Sequence, residues 1–188
     1  MPVELYTYDY TKRSFDGFYQ TNKWLVNKYG VSQVTEWMDT AKDYMETCYT
    51  VDYKTYNNQE YIESLKWFFM PQTNWYGGDG VKRTVLDHLK YLADMVKEKQ
   101  IVIKTKYVTD PSLVVSDGSI LVRGRVVYTV ESCKDIEWLN KFFPFGKSEV
   151  SKEHARDFEV ELANIEQKSG WEHSIYVVHN ERLLSVIR

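Results

Sequence analysis

Amphipathic helices fill roughly the first half of this chain, and alternating strands fill most of the second. The helical part closes near Gln100, and the strand run opens at once with Ile101-Val-Ile-Lys-Thr-Lys-Tyr107. Segregated helices followed by strands predict an α+β fold, with N-terminal helices packed on a curved antiparallel sheet. At 188 residues the chain is long enough for one full core without staples. The pattern divides it into an N-terminal arm and helix over 1–30 and a single α+β domain over 31–188.

The helices announce themselves by spacing. Residues 1–14 are polar and aromatic without a period and read as an arm. Phe15, Phe18, Tyr19, Leu25, Val26 and Tyr29 form a loose stripe that Gly30 stops. Ser32 then reads as an N-cap. Behind it Val34, Trp37, Met38, Ala41, Met45 and Cys48 recur at three and four residues, one buried helical face. Residues 50–58 are a polar, tyrosine-rich connection. A short helix is expected over 60–70, closed by Pro71. A loop over 72–80 holds Trp75 and Tyr76. A last long helix over 81–99 carries Val81, Val85, Leu89, Leu92 and Val96, with Lys97 and Lys99 suiting its negative end.

The strand half is a series of hairpins. Asp117-Gly118 lies between apolar runs, a strong turn signal. Gly124 is expected to mark a bulge in the long strand that follows. Residues 135–143 read as a short helix or insertion, and Phe158, Val160, Leu162 and Ile165 as a strand. A final hairpin over 171–187 is expected to turn at Asn180-Glu181. Neighbours in sequence pair most often, so the sheet is expected to be antiparallel.

No motif of established chemistry emerges. His173 and His179 share a strand face six residues apart, about 20 Å when extended, too far to ligate one metal. His88 and Asp87 are adjacent in a helix and do not face each other. Gly77-Gly78-Asp79-Gly80 lacks the lysine and preceding strand of a phosphate loop. Ser174 and Ser185 lack a nucleophile elbow. Lys97, Lys99, Lys104 and Lys106 read as a solvated rim. Cys48 and Cys133 are too few for a disulfide framework or a zinc site, and read as two buried thiols, with one bridge as the alternative. No metal or cofactor is therefore expected.

A formal net charge of -3 gives no reason to expect a nucleic-acid partner. No apolar run is long enough to cross a membrane, and the N-terminus is too polar for a signal peptide. The chain reads as soluble as written, and as cytoplasmic only if it is not part of an anchored secretion scaffold. Were it the soluble part of an anchored protein, it would belong on the extracytoplasmic face of a bacterial membrane.

The order of a long helix, a short aromatic helix, a third helix and then hairpins resembles the nuclear-transport-factor-2-like, or cystatin-like, superfamily. The resemblance covers 31–188 and includes the closing segments Trp171-Glu-His-Ser-Ile-Tyr-Val-Val-His179 and Leu183-Leu-Ser-Val-Ile187. It implies a cone whose hollow face is covered by helices. The segment 44–53, a helix ending in tyrosines and aspartate before a short helix, is similar to TcpC-type and VirB-type scaffold domains of conjugative type IV secretion.

Aromatic residues make up 15% of the chain, and their placement decides between functions. Trp37, Tyr44, Tyr49, Tyr53 and Trp67 are candidates to line the implied cone. Trp75, Tyr76, Phe142, Phe143 and Phe145 lie outside the clean helical stripes and are candidate protein contacts. Three classes follow. The first is a non-enzymatic interaction or scaffold domain, binding other proteins or itself, in a conjugative secretion machine. The second is a small-molecule binder or isomerase- or dehydratase-type enzyme using the cone. The third is a phage or mobile-element structural protein. A filled cone favours the first or third; an open pocket with a buried acid favours the second.

Overall fold

The helical stripe folds as α2 (Val31–Tyr49), whose buried residues are Val34, Trp37, Ala41, Tyr44, Met45, Cys48 and Tyr49. The computed structural model describes residues 5, 19–69, 74–76, 80–162 and 178–183. Helix α1 (Asn22–Tyr29) precedes α2 and starts later than the sequence suggests, because the Thr21 side chain caps it by accepting from Trp24 N. Gly30 then serves both helices. Its φ of +86° lies in the left-handed region, its N–H donates to Val26 O, and its carbonyl receives Val34 N. The chain therefore passes from one helix straight into the next, and Ser32 sits inside the first turn of α2 rather than capping it.

Residues 50–58 are more ordered than a polar connection. Strand β1 (Val51–Asp52) forms there and pairs with the start of β4 (Val102–Ser116). Asn57 caps α3 (Asn58–Leu65), accepting from Gln59 N and Glu60 N, and a 3-10 turn (Lys66–Phe68) follows before Pro71 is reached. The expected loop over 72–80 contains strand β2 (Asn74–Tyr76), which pairs with β3 (Lys82–Thr84). That pairing occupies 82–84, so α4 (Val85–Glu98) starts four residues later than expected. Thr84 ends the strand and caps the helix, accepting from Asp87 N at 3.2 Å.

The main sheet has the order β1-β4-β5-β6-β7, antiparallel throughout, with β5 (Ile120–Ser132), β6 (Glu153–Leu162) and β7 (Val178–Leu183). The helices packed on its curved inner face make an α+β fold. The Asp117-Gly118 turn joins β4 to β5, with Gly118 at φ +109°. Helix α5 (Ile136–Phe142) forms between β5 and β6, capped by Asp135 accepting from Trp138 N. The expected final turn at Asn180-Glu181 is not a turn. Both residues lie within β7, opposite Glu161 and Val160 of β6. The rest of that expected hairpin, 171–177 and 184–187, lies outside the described residues, as do Ile165, His173, Ser174 and Ser185.

The bend in the sheet arises on β4 rather than at Gly124. Thr109 opposes Gly124 and Val114 opposes Val122, so residues 110–113 of β4 face Arg123 alone. The Asn22 side chain holds this bulge, donating to Pro111 O at 2.6 Å and Val114 O at 3.1 Å. Gly124 has another duty. A Cβ there would lie 2.5 Å from Tyr107 Cζ and 2.7 Å from Val108 O. The bare backbone lets the Tyr107 ring lie across β5, where its hydroxyl bonds Val122 O at 3.1 Å and Phe158 O at 3.3 Å.

Along its other side β4 is met by side chains. Glu46 Oε1 accepts from Tyr107 N at 3.0 Å and Thr50 Oγ1 donates to Thr105 O at 3.3 Å, while the backbone of Gln20 bridges that of Ser116. The outer face of the sheet is also closed at one end. Arg123 and Glu159, opposite each other on β5 and β6, are 2% and 0% exposed and form an ion pair at 3.5 Å. Arg123 Nη1 donates to Leu5 O at 2.9 Å, and Leu5 itself is buried, so the N-terminal segment is tied to the sheet at that residue.

Two stability effects follow. Trp37→Ala removes a ring with no exposed surface and should cost about 3–5 kcal/mol by chemical denaturation; a loss below about 1 kcal/mol would mean the ring is not packed. Gly124→Ala should cost about 1–3 kcal/mol by overpacking, and Tyr107→Ala should relieve part of that strain in the double variant.

Candidate functional site

The space between helices and sheet is filled by rings. Tyr44 packs edge-on to Phe68 and Phe69, each with centroids 5.6 Å apart. Tyr49 lies 6.3 Å from Tyr44, 5.5 Å from Phe143 and 4.7 Å from Phe145. Phe145 stacks on Tyr128 at 4.4 Å, and Tyr128 stacks on His154. A continuous aromatic column thus runs from α2 to β5 and β6. Each edge or stacked contact adds modestly to what burial alone supplies.

This column decides where the candidate residues lie. Of the proposed lining, Trp37, Tyr44 and Tyr49 are buried in the core, while Tyr53 and Trp67 are half-buried. The Lys66 ammonium lies 4.7 Å above the Trp67 ring. Of the proposed contacts, Phe143 and Phe145 are 7% and 1% exposed. They are turned into the core, because the chain after α5 folds back and Ser148 N donates to Asn140 Oδ1. They therefore form no surface patch. Phe142 stays half-buried, stacked on Trp138 at 4.4 Å and beside Tyr91 at 5.4 Å. Trp75 and Tyr76 lie in β2, opposite Arg83 and Lys82.

What the helices leave open is a cleft of about 830 Å³ between the C-terminal half of α2, β1 and its turn, α3, and the start of β4. Four carboxylates line it: Asp43 and Glu46 from α2, Asp52 from β1 and Glu60 from α3. One oxygen of Glu46 is taken by Tyr107 N, and Asp52 Oδ1 accepts from Lys54 N at 2.9 Å. Partial enclosure, reinforced by neighbouring Asp39, pushes the Asp43 carboxyl above the usual range. The one lining cation, Lys104, is ion-paired to Glu131 of β5. Tyr56 and Tyr61 form a wall, their rings 4.8 Å apart. Tyr61 donates to Cys48 O at 3.1 Å, and burial pushes both phenols up.

The remaining candidates fall in structural places. His154 Nε2 accepts from Glu149 N at 3.0 Å beneath the Tyr128 ring, and His88 is buried in α4. Lys99 is paired with Glu98 and Asp135, so the basic rim is partly neutralised. Cys48 and Cys133 are both free thiols, the first buried and the second half-buried. Among the described residues no group of three or more His, Cys, Asp or Glu is placed to hold a metal ion, and no helix is long and apolar enough to cross a membrane. Sequence spacing could not reveal the cleft, because its walls come from segments about sixty residues apart.

No protein-family model matches this chain, and no curated protein matches it in sequence. Among solved structures, an IcmL-like type IV secretion system protein from Legionella pneumophila is similar at 11% identity and a TM-score of 0.42. That match covers 79% of this chain and 90% of the other. A likeness at this level carries no assignment of function.

Because Phe145 is interior, Phe145→Ala should lower stability by about 3–5 kcal/mol in denaturant. A variant as stable as the parent would put the ring back at the surface.

Proposed function

We propose that this chain is a nuclear-transport-factor-2-like cone that acts as a non-enzymatic interaction domain, binding other proteins or a second copy of itself within a bacterial conjugative secretion machine. The observation that supports this reading is the filled interior. Trp37, Tyr44, Phe69, Tyr107 and Phe145, all 1% exposed or less, occupy the volume where an enzyme of this shape would hold its substrate. Such rings confer rigidity on a scaffold and fill the interior, so a ligand would have to bind at the surface or in the open cleft. The secretion assignment rests on the resemblance of segment 44–53, whose order of long helix, tyrosine- and aspartate-containing turn and short helix recurs in the fold.

Interaction then falls to the surface. Trp24, Val31 and Val150 are large apolar residues at 39%, 64% and 43% exposure. Replacing each in turn with a photo-crosslinking amino acid, in cells of the source organism, should give discrete protein adducts at one or more positions. A metabolite that raises the melting temperature of the purified chain and is turned over by it, with turnover lost on Asp43→Asn, would instead make the chain an enzyme.

A further inference from the structure

We propose that the cleft between α2, α3 and β4 binds a basic segment of a partner protein, with a lysine or arginine side chain held among Asp43, Glu46, Asp52 and Glu60 and against Tyr56 and Tyr61. This inference rests on the protein-binding reading and names the surface and the chemistry of the partner. The cleft is a built concavity rather than a run of charge. Four elements converge on it, and its volume of about 830 Å³ lies in the range of sites that bind ligands.

The lining selects a cation in three ways. Four carboxylates face one lysine, and that lysine leans onto Glu131 of the neighbouring strand. Burial first, then neighbouring Asp39, and least Glu46 of the cleft push the Asp43 carboxyl up, and an ammonium or guanidinium bound beside it would favour its charged form. Tyr56, half-buried and packed on the buried Tyr61, adds aromatic lining, and an aromatic ring attracts a cation that reaches its face. Threonine and serine hydroxyls supply further acceptors around the carboxylates. The cleft is open to solvent rather than enclosed, which suits a passing chain better than a small molecule sealed from water.

The test uses the purified full chain and a fluorescein-labelled peptide of alternating lysine and arginine, followed by fluorescence anisotropy. Binding should weaken as salt rises, and an aspartate–glutamate peptide of equal length should not bind. Asp43→Asn combined with Glu60→Gln should weaken the basic peptide about tenfold or more, with circular dichroism and melting unchanged. Glu137→Gln combined with Glu153→Gln makes the same change in net charge at exposed positions outside the cleft, and should shift affinity by no more than about twofold. If the double variant fails to fold, Glu60→Gln alone carries the test. Equal losses in both double variants would reduce the effect to overall charge and overturn the proposal. So would competition by free spermine as strong as by unlabelled peptide, since the ligand would then be a polyamine. Crosslinking from Trp24, Val31 and Val150 separates the two readings: persistent adducts with no peptide binding would overturn the cleft and leave the interaction domain standing, whereas absent adducts with cleft-dependent peptide binding would support the cleft and remove those three residues as contacts.

Discussion

The Tyr107 ring lying across Gly124 is the contact on which the rest of the structure depends. It joins three strands with one side chain, since the ring starts on β4, crosses β5 and reaches the Phe158 carbonyl of β6. The backbone N–H of the same residue is held by Glu46 of α2. One position therefore ties three strands to one another and to α2. Any side chain at residue 124 would lift the ring and with it the register between helix and sheet.

Much of this frame can be read from the amino-acid order. The stripe of α2, the turn at Asp117-Gly118 and the succession of helices before hairpins are local patterns, each contained in one segment. They survive because tertiary packing agrees with them. The misplaced boundaries share a different cause. Strand β1 has two residues, and β2 and β3 have three each, too short to show a period. Their pairing supplies what their sequence does not, and it moves the start of α4 to Val85, behind its cap Thr84. Gly124 was legible as special but not for its reason, because the clash that forbids a side chain comes from a residue seventeen positions earlier on another strand.

The candidate site shows the same division. Trp37 reads as core because its helix is regular. Phe143 and Phe145 read as surface because they leave α5 in irregular chain, where no period tells inside from outside. Only the return of that chain against Tyr49 and Tyr128 shows that both rings plug the interior. The cleft is invisible in one dimension. Asp43, Asp52 and Glu60 are ordinary surface acids until β1 pairs with β4 and brings α2 and α3 around a shared hollow.

The side chains laid along β4 have a consequence for solubility. A strand at the border of a sheet normally presents a row of hungry amides and carbonyls on which foreign strands can zip. Here that row is occupied at Ile103 by β1, at Thr105 by Thr50, at Tyr107 by Glu46, at Pro111 and Val114 by Asn22, and at Ser116 by Gln20. Proline removes one amide outright. This border is blunted against fibril growth by strand β1, by the side chains of Asn22, Glu46 and Thr50 and by the backbone of Gln20, so a foreign strand meets no continuous row of free amides and carbonyls along it.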